Sequence, residues 1–368
     1  MDIIDSLTIL GPGVKLLTVS GNNASSVFHI TGGTAKISGL TIAGGRSSVG
    51  GGINNQNVAS TMNLSNCTVF GNTSTSYGGG GIWNEGTMSL VGCVVAANSA
   101  ANLGAGAGIY NNFGTLRMTN CTLFANGATY LGGGGILNAG PLIVANCTIA
   151  GNTVNAAGDS GGGIYNYPFG TVQIQNSIVA SNSTLSAASP DVSGVFASQG
   201  YNLIGVTYGS SSWAPFPNSG DQLGSLAAPI NPKLGPLQDN GGPTFTMALL
   251  PGSSALDKGK SFGLATDQRG FGRPYDNPGV ANAPGGDGSD IGAFELNPPA
   301  LFIMRSAPNV VLLWSTNDTG YSLKSAAALP TAPGDWRPVP GTPAVVGSQY
   351  AVTNGPASGN KVYRLTSP

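Results

Sequence analysis

Apolar side chains recur along this chain in units of 26 to 30 residues. Within a unit they alternate with polar ones: Leu116 and Met118 alternate with Arg117 and Thr119. Alternation with a period of two is typical of a β-strand rather than a helix. One column of equivalent positions reads Leu40, Cys67, Cys93, Cys121, Cys147 and Ser177. Self-similarity at this spacing predicts stacked structural units.

Asparagine also recurs at fixed places in each unit. One column contains Asn72, Asn98, Asn126, Asn152 and Asn182, and a second contains Asn55, Asn84, Asn111, Asn138 and Asn166. Stacked asparagines can hydrogen-bond to one another and satisfy polar groups at a bend. The four cysteines share an apolar column, which favours buried free thiols over the alternative of disulfides between adjacent units.

The pattern predicts an all-β fold. Three short strands per unit, all running in one direction, form a right-handed single-stranded parallel β-helix that rises ~4.8 Å per coil. No apolar spacing typical of a helix persists, and 59 of the 368 residues are glycine, so we expect no α-helix. We expect regular coils over 1–185, an irregular β-helix end with a loop-rich acidic cap over 186–296, and a small β-sandwich over 297–368.

The composition argues against several classes of partner. Charged residues make up 8% of the chain and the net charge is −1, so we expect neither nucleic-acid binding nor a basic membrane-binding surface. No apolar run reaches the length of a membrane span, so we expect no membrane insertion. Such a chain suits a secreted or cell-surface protein. No signal peptide is visible after Met1, and we expect the chain to begin beyond one.

Acidic residues concentrate between Asp257 and Glu295. One hypothesis is a structural Ca²⁺ site at Asp267, Asp287 and Asp290, since hard oxygen ligands suit this ion. A second is an active site with Arg269 as its base. The third is a salt-bridged cap in which Arg269 pairs with Asp267 or Asp290. We expect no other cofactor.

Elsewhere the chain offers little for acid–base catalysis. Glu85 and Asp159 are the only acids between residues 6 and 190. They fall at different points of the repeat, so they do not form the close pair that a glycosidase needs.

Aromatic residues follow three of the recurring isoleucines. Trp83, Tyr110 and Tyr165 occupy this position, with Asn54 and Leu137 at its equivalents. On a β-helix they form one exterior row, which could stack on sugar rings or contact another chain. Trp83 is expected to contribute most, because its ring is the largest.

Several motifs beyond the regular repeats resemble a known family. They are the segments LGPLQDNGGPT from Leu234, PGSSALD from Pro251, DQRG from Asp267 and DIGAFE from Asp290. With the upstream repeats, they resemble bacterial surface proteins that carry a choice-of-anchor Q domain and share a repeat style with polymorphic outer-membrane proteins. The resemblance covers about residues 5 to 296 and implies architecture rather than activity. The last region resembles small β-sandwich modules at the end of secreted bacterial proteins.

Three functional hypotheses follow. The first is a structural or adhesive protein that binds a glycan, a surface or its own copies. The second is a polysaccharide lyase or glycoside hydrolase, and the third is an extracellular filament subunit. Three carboxylates, or two with an Arg or Lys, converging in an open groove would indicate the enzyme.

Overall fold

The computed structural model of the protein describes residues 1–102, 104–156, 161–185, 190–213, 220–277, 279–297, 301–315, 321–329, 335–347, 349–355 and 360–366. The chain divides into two compact units, Met1–Leu296 and Asn297–Pro368. The regular elements of the described ranges are β-strands, and no α-helix occurs among them. In the same ranges, no helix combines the length and apolarity needed to cross a membrane.

Three long parallel sheets build the first unit, and each regular coil adds one strand to each sheet. Sheet A comprises Asp2–Ile3, Phe28–Ile30, Ile53–Asn55, Ile82–Asn84, Ile109–Asn111, Ile136–Asn138, Ile164–Asn166, Val192–Val195 and Ser210–Ser211. Sheet B comprises Leu7–Leu10, Thr34–Ser38, Thr61–Ser65, Thr87–Val91, Thr115–Thr119, Pro141–Ala145, Thr171–Gln175 and Ala197–Gly200. Sheet C comprises Thr18–Ser20, Thr41–Ala43, Thr68–Phe70, Val94–Ala96, Thr122–Phe124, Thr148–Ala150, Ile178–Ala180, Leu203–Ile204 and Gln222–Leu223. The predicted parallel β-helix with three strands per coil is confirmed.

A fourth, shorter parallel ladder supplements these sheets. Sheet D comprises Arg46–Val49, Thr73–Gly78, Ser99–Ala100, Gly127–Ala128, Thr153–Val154 and Ser183–Thr184. Most of its strands have two residues, because each lies where the coil already bends back toward sheet A.

The apolar columns form one continuous core inside the coils. Equivalent residues stack in register: Val95 pairs with Leu123, which pairs with Ile149. All four cysteines are buried and free, which confirms their interpretation as thiols. Burial raises the pKa of Cys67 to about 11, so this thiol stays protonated at neutral pH. Such a stack buries aliphatic surface in every coil, and it supplies the main stabilisation of a repeat architecture.

Both asparagine columns form hydrogen-bonded ladders. In the first, Asn126 accepts at Oδ1 from Asn98 and donates from Nδ2 to Asn152, at 2.9 and 2.8 Å. The ladder ends at Asp191, whose Oδ1 accepts from the backbone N and Nδ2 of Asn182, both at 2.9 Å. A carboxylate suits this last place because only acceptors are needed there.

The second ladder runs the same way. Asn84 accepts from Asn55 at 2.7 Å and donates to Asn111 at 2.8 Å, and the series continues through Asn138 to Asn166. All five side chains are buried. The ladders thus satisfy amides that the bends remove from the strand pairing.

The residue before each member of the column Leu40, Cys67, Cys93, Cys121, Cys147 and Ser177 makes the bend from sheet B into sheet C, and in every coil it is Asn or Gly. Asn66, Asn120, Asn146 and Asn176 adopt φ between 43° and 51°, a left-handed conformation that asparagine tolerates better than most residues. Three of them also bond to residues 230–296: Asn120 Nδ2 donates to the carbonyl of Thr266 and Asn176 Nδ2 to that of Asp290, both at 2.9 Å, and Asn146 Oδ1 accepts from Arg273.

Residues 230–277 and 279–296 form a lateral segment that lies along the outer face of sheet C. Leu249, Ile291 and Phe294 pack on Ile178 and Leu203 of that sheet. The segment reaches from the last coils back to Gly92, whose carbonyl accepts from Thr244 Oγ1 at 2.9 Å. The sequence predicts a cap over the end of the β-helix, but this segment covers its side instead. The physical reason is that the outer face of sheet C carries apolar residues, which are costly to leave in water.

The second unit contains two antiparallel sheets. One has the strands Phe302–Ser306, Asn309–Ser315, Gln349–Asn354 and Ala344–Val346, and the other has Arg337–Pro338, Ser322–Ala326 and Val362–Thr366. Leu312, Trp314 and Val352 of the first sheet share one buried cluster with Leu323 of the second. The predicted small β-sandwich therefore has a core of its own.

Candidate functional site

The acidic residues of the lateral segment meet two arginines in a buried network. Arg269 contacts Asp267 through Nη2 and Nε, at 2.7 and 2.8 Å. Its guanidinium lies 3.7 Å from the ring centroid of Phe294 and 4.5 Å from that of Phe271. Arg269 also donates to the carbonyl oxygen of Glu295. These contacts hold the guanidinium between two rings, and Arg269 therefore holds the segment together rather than facing a substrate.

A second ion pair anchors the segment to the coils. Arg273 Nε donates to Glu295 at 2.8 Å, and both side chains are fully buried. Its Nη1 donates to Asn146 Oδ1 at 2.6 Å and its Nη2 to the carbonyl of Gly292 at 2.9 Å. Burial raises the pKa of Glu295, although Arg273 opposes this shift. Arg273 thus ties a side chain at a coil bend to the lateral segment.

The three carboxylates proposed as calcium ligands already accept hydrogen bonds from groups of the protein. Backbone amides donate to both oxygens of Asp267 and of Asp290. Asp287 accepts from the hydroxyl and backbone N of Ser261, at 2.6 and 2.9 Å. Burial and the neighbouring Glu295 carboxylate raise the pKa of Asp290 to about 8. No group of three potential ligands able to hold a metal ion occurs among the described residues.

We expect excess chelator to leave the melting temperature of the protein unchanged. A Ca²⁺ ion bound only by the native state would stabilise it by mass action, and its removal would lower the melting temperature. Calorimetry before and after treatment with chelator measures this directly. A fall of several degrees that is reversed by added Ca²⁺ would restore the calcium hypothesis.

The same network contains the converging acids by which an enzyme would be recognised, provided that they faced an open groove. Asp267, Asp290 and Glu295 do come together with two arginines, but all are buried within the lateral segment. Glu85 Oε1 accepts a hydrogen bond from Asn112 Nδ2 at 2.9 Å. Asp159 lies outside the described residues. Among these carboxylates, therefore, none that the structure describes pairs with another in an open groove.

The predicted aromatic residues do fall in one column on the outer face of sheet A. Trp83 pairs with Tyr110, Tyr110 with Leu137 and Leu137 with Tyr165. The ring centroids of Trp83 and Tyr110 are 4.6 Å apart in an edge arrangement. Trp83 is only 7% exposed, so the ring expected to contribute most is not offered to solvent. Tyr110 and Tyr165 are half-buried.

A larger aromatic surface lies beside this column, on the bends between sheets A and B. We define the aromatic platform as Phe113, Tyr165, Tyr167 and Phe169. The centroid distances are 6.4 Å from Phe113 to Phe169, 5.9 Å from Phe169 to Tyr167 and 5.7 Å from Tyr167 to Tyr165. Phe113 is 66% exposed and Phe169 71% exposed. The four rings therefore form a continuous row that is open to solvent at one end.

Phe113 is held in an unusual conformation. Its φ is 59°, a left-handed value that is a genuine outlier for a bulky residue. Its exposed ring gains little from burial that could offset the strain. Leu131, Tyr201 and Phe262 also adopt positive φ, so the strain at Phe113 supports a functional site only together with the exposure of its ring.

The platform borders a shallow pocket of about 370 Å³. Its lining includes Tyr165, Tyr167, Pro168, Ser193 and Val195. The bend beneath it is fixed, since the backbone N of Tyr167 donates to the carbonyl of Asn138 at 2.8 Å and that of Gly170 donates to Tyr167 at 2.8 Å. A rigid aromatic row beside a concavity can receive a flat, partly apolar ligand.

The repeat pattern of the sequence does not predict Phe113, Tyr167 and Phe169 as site residues. A signal was present: a phenylalanine stands immediately before the glycine that ends the bend, in both Phe113-Gly114 and Phe169-Gly170. The two bends differ in length, which hid their equivalence.

Comparisons with known proteins add no assignment. No family model, no curated protein and no solved structure matches this chain.

Proposed function

We propose that this protein is a secreted or cell-surface adhesive β-helix that binds a polysaccharide through the aromatic platform. The observation that carries the proposal is the row of exposed rings at Phe113, Phe169 and Tyr167 next to a pocket. Aromatic faces stack on the C–H faces of sugar rings, and tyrosine adds a polar edge for hydroxyl groups. The parallel β-helix and the resemblance to bacterial surface proteins are consistent with a role outside the cell.

A sugar suits the platform better than a second copy of the chain. Each aromatic side chain presents about 150–250 Å² when fully exposed, and two of the four rings are half-buried. The row therefore offers less than the ~800 Å² per partner of a stable protein interface. Self-association and filament formation remain the alternatives that the binding experiment has to separate from glycan binding.

The polysaccharide-degrading enzyme is the other alternative. The converging carboxylates Asp267, Asp290 and Glu295 accept hydrogen bonds from backbone amides. They lie against sheet C, whereas the platform lies on sheet A and the bend that follows it. Binding without cleavage is therefore the function that this geometry favours.

We expect the double variant Phe113→Gly with Phe169→Ser to lose at least about tenfold in affinity, since each aromatic contact contributes about 1 kcal/mol. Folding should be retained, because glycine adopts positive φ without strain and Phe169 is exposed. A glycan array, followed by titration calorimetry on the polymers that bind, measures the loss.

Phe70→Ser is the matched control, since Phe70 is a half-exposed phenylalanine on sheet C. It should bind as the unaltered protein does. Full-strength binding by the platform variant would remove the proposal. A change in molar mass by light scattering, with no glycan bound, would instead support self-association.

A further inference from the structure

Resting on the proposed function, we infer that the platform binds a neutral polysaccharide rather than one carrying carboxylate or sulfate groups. The inference comes from the charges around the platform. Between residues 47 and 220 the chain has four charged residues: Glu85, Arg117, Asp159 and Asp191. Recognition of a polyanion requires a surface of complementary charge, normally with several cations.

Arg117 is the only cation in this stretch. It is exposed on the outer face of the strand Thr115–Thr119, just beyond the bend that carries Phe113. Glu85 lies on the preceding coil and accepts from Asn112, the residue before Phe113. The single cation therefore has an anion on the neighbouring coil, hydrogen-bonded to the bend that carries Phe113.

Lys36, Arg269 and Arg273 do not serve the platform. Lys36 lies in sheet B three coils before the strand that follows Phe113, which is roughly 15 Å at ~4.8 Å per coil. This exceeds the Debye length of about 8 Å at physiological salt. Arg269 and Arg273 belong to the lateral segment on sheet C and are committed to buried ion pairs.

Uncharged polar groups also border the bends that carry the rings. Thr115 and Thr171 are exposed at the starts of their strands, and Asn112 is half-buried on the bend just before Phe113. Hydroxyl and amide groups exchange hydrogen bonds with sugar hydroxyls as both donors and acceptors. A neutral polymer keeps its apolar faces for the rings and has no charge to desolvate against them.

The test compares neutral and acidic polymers directly. Hydroxyethyl cellulose, galactomannan and laminarin serve as neutral probes, and alginate and polygalacturonate as acidic ones. Affinity electrophoresis and titration calorimetry are run in low salt and in about 1 M salt, where the Debye length is about 3 Å. We expect at least one neutral polymer to bind, with an affinity that changes less than about twofold between the two salt conditions, since no ion pair is screened. Tyr167→Ser should weaken that binding, while Phe70→Ser should not.

The outcomes separate this inference from the proposed function. Tighter binding of an acidic polymer that high salt abolishes and Tyr167→Ser weakens would overturn the neutral class and leave the platform as the site. Binding of any polymer that the platform variants leave unchanged would overturn the proposed function itself. Failure of every polymer to bind would overturn both.

Discussion

Replacing Asn126 by alanine is expected to destabilise the β-helix unit by about 3–5 kcal/mol. The side chain is fully buried at the middle of its ladder. It accepts from the backbone N and Nδ2 of Asn98 and donates to the carbonyl of Val95 and to Asn152. Alanine leaves several of these groups buried without a partner, at about 1–3 kcal/mol each. Urea denaturation followed by circular dichroism gives the change in free energy of unfolding.

Asn155→Ala is the matched control for this variant. Asn155 is exposed in the next repeat unit, so its loss should change stability by less than about 0.5 kcal/mol. A cost below about 1 kcal/mol for Asn126→Ala would mean that water replaces the missing amide and that the ladder is not a closed polar network.

Replacing Arg273 by methionine should cost about 3–5 kcal/mol, because it leaves the buried Glu295 carboxylate without its counter-charge. It also removes the hydrogen bond from Arg273 Nη1 to Asn146 Oδ1, and this bond joins the lateral segment to the coils. Denaturant unfolding measures the loss. Hydrogen exchange should show that amides of the lateral segment open before those of the coils.

The double variant Arg273→Met with Glu295→Gln should recover part of that loss, since no buried charge then remains unpaired. Arg117→Met, at an exposed arginine, should be nearly neutral. Additive losses in the double variant would contradict a direct coupling between Arg273 and Glu295.

The sequence predicts the β-helix well because every coil obeys the same constraint. Inward strand residues are apolar in nearly every turn, the bends satisfy their amides, and the left-handed position before each member of the column of Cys121 is Asn or Gly. These demands repeat as columns, so Cys121, Asn126 and Asn120 can be assigned by their neighbours one unit away.

The lateral segment lacks such repetition. Its contacts join residues far apart in the chain, such as Thr122 with Gln268 at 2.7 Å and Asn120 with Thr266 at 2.9 Å. Each of these contacts depends on one particular pair of residues, so it cannot be predicted from a repeating pattern in the sequence. One indication was available: Val94 and Ile178 interrupt the outward threonines of sheet C, and an apolar outward residue in two coils indicates a covered face.

The candidate site was predictable only in part. The repeat predicts that Trp83, Tyr110 and Tyr165 share one column. It does not predict how far each side chain is exposed to solvent, because that depends on the neighbouring rings. Tyr110 packs against Trp83, whereas Phe113 and Phe169 stand on bends of different length and remain open. Side-chain exposure at bends is set by local backbone geometry that a column of equivalent residues does not encode.

The central claim is that this β-helix binds a polysaccharide at its aromatic platform without cleaving it. The most direct measurement incubates the protein with each polymer and determines, in the same sample, the bound polymer and the newly formed chain ends. A reducing-sugar assay detects hydrolysis, and ultraviolet absorbance detects the unsaturated ends that a lyase forms. We expect saturable binding that requires Phe113 and Phe169, with no new chain ends. Release of chain ends that persists in the platform variant would contradict it.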